Sequence, residues 1–296
     1  MSPRRPAGVH GLVVVDKPAG MTSHDVVGRC RRVFDQRQVG HAGTLDPSAT
    51  GVLLVGLGAA TRLLRFLSVL PKSYLGEVVL GAATSTLDAD GDVVATFDMA
   101  GVTLDQVREA AAALVGDILQ VPPMVSAVKV GGRRLHELAR AGEEVERAPR
   151  PVTVFRFDVE PTGAPGVLRV AVECSSGTYV RSLAADLGRA LGGGAHLRAL
   201  RRTAVGPFTA AAAVALDDVG PATVRPPAAA VAHLPRVAVG PELAARIAHG
   251  AVLERDEAAF GGDGPWAVVD GGGTLLAVYE GRGDHHAKPA VVVAGG

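Results

Sequence analysis

The sequence predicts a mixed α/β (α+β) chain that ends in a small β-rich C-terminal domain. Three observations carry this. Segments that alternate apolar and polar residues, as half-buried strands do, are interleaved with segments whose apolar residues recur at three- and four-residue spacing. Glycine and aspartate clusters punctuate them. From about Ala210 the pattern breaks into Ala-rich sequence with prolines from Pro221 to Pro235, and short strand signals return beyond it. At 296 residues the chain is long enough for one large domain and a smaller one. The expected division is a domain over 1–220 with an insertion at about 120–150, a Pro/Ala-rich linker over 221–235, and a small domain over 236–296.

The elements follow in order. Gly11 to Val15 reads as a short buried strand that Asp16-Lys17-Pro18-Ala19-Gly20 ends in a turn. Ser23 stands where a helix cap is expected. The helix after it has a buried stripe of Val26, Val27, Cys30, Val33 and Phe34, with Arg29, Arg31 and Arg32 largely off that stripe. Gly40 to Gly51 shows neither period and is expected to be a structured loop before the apolar strand Val52 to Leu57. Tyr74, Gly76, Val78 and Leu80 alternate as a strand, and Asp88-Ala89-Asp90-Gly91 ends it in turn chemistry. Thr103 and Gln106 form a capping-box signature before a helix over Leu104 to Leu114. Val125 to Val130, Gly131-Gly132 and Arg133 to Ala141 read as strand, tight turn and short helix closed by Gly142. Leu168, Val170, Val172 and Cys174 mark another strand. Ser175 to Thr178 then turns into a helix whose buried stripe is Val180, Leu183, Ala184, Leu187 and Leu191. Past the prolines, Pro241 to His249 fits a short helix, and Ala267 to Asp270, Leu275 to Tyr279 and Ala290 to Val293 fit short strands.

Composition excludes several classes. Hydrophobic residues make up 48% and charged residues 20%, as in a globular protein, and no apolar run approaches the ~18 residues of a membrane span. The apolar stretch after Arg4 and Arg5 is too short for a signal-peptide core, so the cytoplasm is the expected location. Cys30 and Cys174 show no metal-ligand spacing; each is expected to be a buried thiol, with no zinc site and no disulfide. Net charge is zero, which alone argues against a nucleic-acid binder. Distribution argues the other way. Basic residues cluster at Arg29, Arg31, Arg32 and Arg37, at Lys129, Arg133, Arg134 and Arg140, and at Arg198, Arg201 and Arg202. Each cluster is a solvated helix face or a phosphate track.

Taken alone, Asp46 in the segment GHAGTLDPSATG (Gly40 to Gly51) is a turn aspartate at an Asp-Pro step more readily than a catalytic one. Four further segments change that weighting: Asp16 to Ser23 (DKPAGMTS), Lys72-Ser73-Tyr74, Cys174 to Leu183 (CSSGTYVRSL) and His196 to Phe208 (HLRALRRTAVGPF). In this order the five segments resemble the TruB family of pseudouridine synthases, over about Gly11 to Phe208. The resemblance implies a catalytic domain built round an antiparallel sheet. It also implies a reaction in which a uridine's N1–C1′ bond breaks, the uracil turns, and C5 bonds to C1′. Such an isomerisation needs no cofactor and no metal. The implied substrate is the T arm of tRNA, at uridine 55. No obligatory protein partner and no membrane is implied, and a monomer is the default.

The same resemblance assigns roles. Asp46 is the nucleophile. Arg181 supplies the positive charge that keeps a buried carboxylate ionised, since burial alone would favour its neutral form. Tyr74 stacks on the uracil and takes part in the closing proton transfer. Whether Asp46 attacks C6 or C1′, or first removes a proton at C2′, stays open. Extruding the base costs a few kcal/mol, and His41 is the loop histidine that replaces lost stacking. Lys17 supports the loops, Leu200 and Tyr179 flank the pocket, and Arg202 with Arg198, Arg201 and the basic helix tracks phosphates. Val125 and His136 stand where the family often has aromatic residues, in the segment that grips RNA. The domain after Pro235 corresponds in position to a PUA-like RNA-binding domain. Two other functions fit parts of this pattern. A non-catalytic tRNA-binding chaperone would use the same basic surfaces but has no need of Asp46, Tyr74 and Arg181 together. A glycoside hydrolase would require a second carboxylate as general acid.

Overall fold

In the computed structural model, which describes residues 8–126, 129–130, 132–135, 143 and 145–293, the apolar run after Gly11 forms strand β1, Gly11–Lys17. It extends past the turn expected at Asp16, because Val15 and Asp16 pair in parallel with Val214 and Ala215. Helix α1, Ser23–Val33, follows. Its cap is Thr22 rather than Ser23. The Thr22 hydroxyl accepts from the Asp25 N–H at 3.1 Å and the Asp25 carboxylate accepts from the Thr22 N–H at 2.9 Å, so the first turn closes as a reciprocal capping box. Val26, Val27 and Cys30 face the core, whereas Val33 is exposed.

Gly40 to Ala42, expected in a loop, belong to strand β2, Val39–Ala42, antiparallel to β3, Thr50–Leu57. A four-residue strand holding a glycine and a histidine has no visible period of its own; β3 pairs it. The irregular loop therefore shrinks to 43–49. Helix α2, Leu64–Ser68, comes next, then β4, Lys72–Leu80, with the alternation predicted from Tyr74 to Leu80. Helix α3, Leu104–Ala112, is capped by the Thr103–Gln106 box as predicted. Helix α4, Val180–Ala190, buries Val180, Leu183, Ala184 and Leu187.

The chain forms two compact units, one of Met1–Asp46, Val52–Ser68 and Ala211–Gly296, the other of Pro47–Gly51 and Val69–Ala210. In the first, Val13, Val15, Val26, Val27, Cys30, Leu53 and Val55 share one core. The proline-bearing segment makes only short 3-10 turns, Pro221–Thr223 and Pro227–Val231. It is nonetheless tied down: Leu12 and Arg225 exchange backbone hydrogen bonds of 2.9 and 2.8 Å, and Ala230 and Val231 are buried. The C-terminal part of this unit has a five-stranded sheet, ordered Arg236–Ala238, Trp266–Val269, Leu275–Arg282, His286–Val292 and Leu253–Glu254. Its separate core holds Trp266, Tyr279, Phe260, Ile247 and Leu253.

In the second unit, Ala195–Val205, β4, Val167–Cys174, Arg150–Pro161 and Gly116–Gln120 are neighbours in that order, all antiparallel. Arg201 and Arg202 also pair with Thr50 and Gly51, and that pairing is parallel. Lys129–Val130 and Arg133–Arg134 form a two-stranded ribbon, so the helix expected from Arg133 begins as strand. His136, Arg140 and the rest of 136–142 lie outside the described residues. The whole is a mixed α+β fold in which antiparallel pairing predominates.

Candidate active site

In the first unit, the loop between β2 and β3 carries Asp46, which is half-buried. Gly43 opens the loop at φ +80°, a left-handed backbone that glycine adopts without a Cβ penalty. Leu45 and Ala49, on either side of Asp46, are buried. Ser23, at the start of α1, is buried and bonded twice to one residue: its hydroxyl accepts from the Leu45 N–H at 2.9 Å and donates to the Leu45 carbonyl at 3.2 Å. His41, in β2, meets the His24 ring edge-on, with centroids 5.8 Å apart and planes at 85°. Lys17 ends β1 with no exposed surface, and its ammonium donates to the carbonyls of Pro18 at 2.9 Å and Met21 at 2.6 Å. A residue read from sequence as part of a turn thus closes that turn from inside.

In the second unit, Tyr74 is buried on β4 directly opposite Arg202. Arg202 is only 1% exposed, so it is not a surface phosphate contact as Arg198 was also expected to be. The register shifts between Leu197 and Ala199, which turns Arg202 inward in a way that simple alternation does not foretell. Arg198 is exposed but donates twice to Glu77, at 3.0 and 2.7 Å. Lys72, two residues before Tyr74, is also buried and donates to the Leu70 carbonyl at 2.6 Å. Burial, reinforced by the Arg202 charge, pushes its ammonium down from 10.5 to about 8. Leu200, half-buried, sits opposite Gly76.

Arg181, in the first turn of α4, is 4% exposed. One guanidinium nitrogen lies 3.1 Å from the Asp88 carboxylate and donates to the Thr86 carbonyl at 3.0 Å; another donates to the Val125 carbonyl at 2.8 Å. Asp88, read from sequence as a turn residue, is thus a buried partner of the arginine. Gln120 grips the residue that precedes α4, accepting from the Tyr179 N–H at 2.7 Å and donating to its carbonyl at 3.2 Å. Asp88, Gln120, Lys72 and Ser23 were all missed. The DADG segment signalled only a turn, and nothing in a 59-residue separation links Gln120 to Tyr179.

Gly51 closes the Gly40 to Gly51 segment at φ +103°, and a Cβ there would stand 2.1 Å from the Arg202 carbonyl oxygen. Only glycine lets the backbones come that close. Both cysteines are buried thiols, as expected, with burial raising each to about 11. Among the described residues, no group of three or more His, Cys, Asp or Glu side chains could hold a metal ion, and no helix is long and apolar enough to cross a membrane.

The fold is that of pseudouridine synthases. Solved structures that resemble this chain include a Cbf5–Nop10–Gar1 complex, at 29% identity and TM-score 0.72 over 92% of this chain and 78% of that one. An archaeal box H/ACA Nop10–Cbf5 complex is similar at 25% identity and TM-score 0.71, over 96% and 86%. Residues 31–180 match the N-terminal domain of TruB family pseudouridylate synthases, and residues 181–228 match the C-terminal domain of tRNA pseudouridylate synthase B. The chain is 48% identical to tRNA pseudouridine synthase B of Rhodococcus jostii over 95% of its own length and 93% of the relative's. It is 49% identical to that of Mycobacterium sp. strain KMS over 97% of each. The chain belongs to the TruB family of pseudouridylate synthases, and it is an isomerase.

Proposed function

We propose that this protein isomerises uridine 55 in the T loop of tRNA to pseudouridine, with Asp46 as the nucleophile and no cofactor. The observation that carries the substrate class is the near full-length similarity to proteins named tRNA pseudouridine synthase B. Asp46 sits half-buried in a short loop, next to Leu45, whose backbone is held by Ser23, which suits a group that must approach the base along a fixed line. Tyr74 stacks on the flipped uracil and takes part in the final proton transfer, while Tyr179 and Leu200 flank the pocket. Arg181 is the cation that favours an ionised nucleophile. His41 braces the space left by the extruded base, and Lys17 holds the turn that leads into α1. The exposed arginines of α1 contact phosphates of the T arm, and residues 236–296 act as a small RNA-binding domain. The enzyme acts as a monomer in the cytoplasm.

The decisive experiment incubates the purified protein and its Asp46→Asn variant with a T-arm stem-loop and measures pseudouridine. The expected result is turnover by the wild type and loss of turnover in the variant. Binding without isomerisation by the wild type would overturn the substrate assignment in favour of a tRNA chaperone; full turnover by Asp46→Asn would overturn the nucleophile.

A further inference from the structure

The first turn of α1 touches the Asp46 loop through consecutive residues. Ser23 holds both backbone groups of Leu45, the residue immediately before Asp46. A hydroxyl has one proton to donate and lone pairs to accept with; here the proton goes to the Leu45 carbonyl and a lone pair takes the Leu45 N–H. Holding both groups of one residue fixes the peptide planes on either side of it, so the position from which the Asp46 side chain departs is set. The next residue, His24, places its ring against His41, in the strand β2 that leads into the same loop.

The turn that makes these contacts is itself locked. Lys17 ties the carbonyls of Pro18 and Met21 from within, and the Thr22–Asp25 box closes the helix start. Ser23 is not needed as the cap, which Thr22 supplies. Its hydroxyl is therefore available to the loop, and its side chain is 2% exposed, which shields both bonds from competing water. We propose that Ser23 is a positioning residue for the reaction, holding Asp46 in register through Leu45. The proposal rests on Asp46 being the nucleophile.

The test compares steady-state kinetics on a T-arm stem-loop for Ser23→Ala, Asp46→Asn and Thr103→Ala. Thr103→Ala removes the comparable capping box of α3 and serves as the control for general loss of stability. A misplaced reacting group costs on the order of 10²-fold, so Ser23→Ala is expected to lower kcat by about that factor with KM within roughly twofold. Thr103→Ala should lower Tm and leave kcat unchanged. Inactive Asp46→Asn together with a wild-type kcat in Ser23→Ala would overturn the positioning role and leave the nucleophile standing. Turnover by Asp46→Asn would overturn both. A loss in Ser23→Ala matched by Thr103→Ala at equal Tm, or seen only in KM, would likewise overturn it. Should Ser23→Ala not fold, Ser23→Cys keeps the volume while weakening both bonds. A kcat at least about tenfold below wild type then supports the role, and a wild-type kcat refutes it.

Discussion

Asp88→Ala removes one partner of a buried ion pair and leaves the other in place. The Asp88 carboxylate lies 3.1 Å from the Arg181 guanidinium, with side-chain exposures of 12% and 5%. Deleting one member of a buried pair costs roughly 3–5 kcal/mol where nothing else compensates the remaining charge. Arg181 would keep the carbonyls of Thr86 at 3.0 Å and Val125 at 2.8 Å, which argues for the lower end, about 3 kcal/mol. At roughly 2–4 °C per kcal/mol for a chain of this size, Tm should fall by about 6–12 °C. Asp88→Asn should lose less, because its amide oxygen can still accept from the Asp90 N–H, a bond of 3.1 Å. Thermal unfolding of Asp88→Ala, Arg181→Met and the double variant checks the coupling: with the cation gone, the double variant should be no less stable than Asp88→Ala alone. A Tm within about 2 °C of wild type, or strictly additive losses, would refute the account of Arg181 as a cation anchored by Asp88.

Three other outcomes follow from particular contacts. Gly51→Ala forces a Cβ to within 2.1 Å of the Arg202 carbonyl at φ +103°, and should cost roughly 4 kcal/mol, at the exceptional end for one substitution. Gly20→Ala, also at positive φ but with nothing within 4 Å of the new Cβ, should cost only about 1–2 kcal/mol; equal urea midpoints for the two variants would contradict the steric argument. Lys72 binds its proton less tightly folded, at about 8, than unfolded, at 10.5. The unfolded chain therefore holds more protons between these values, and stability should rise as pH climbs from about 8 to 10.5. Lys72→Met should abolish that rise in denaturant titrations, and an unchanged pH profile would count against a charged, strained Lys72 at neutral pH. Affinity for the T-arm stem-loop should fall by about 10³-fold or more between 50 and 200 mM salt if six or more phosphates are neutralised, despite the zero net charge. Salt-independent binding would exclude phosphate tracking by the arginines of α1.

Local chemistry made much of this protein legible before any coordinates. The Thr103–Gln106 box, the alternation through Tyr74 and the stripe of α4 are short-range patterns, and each reappears in the fold. The order of five motifs sufficed to reach the family. What the sequence could not disclose depends on pairing between distant segments. β2 exists because β3 lies beside it, and Arg202 turns inward because its strand changes register against β4 between Leu197 and Ala199. Asp88 reaches Arg181 across 93 positions of chain, and Ser23 reaches Leu45 across 22. The ordered motifs and the family they resemble thus nominated candidate side chains for the chemistry. Only tertiary structure decided which of them are buried and what each one holds, because burial and long-range hydrogen bonds are properties of the packed chain and leave no period in the sequence.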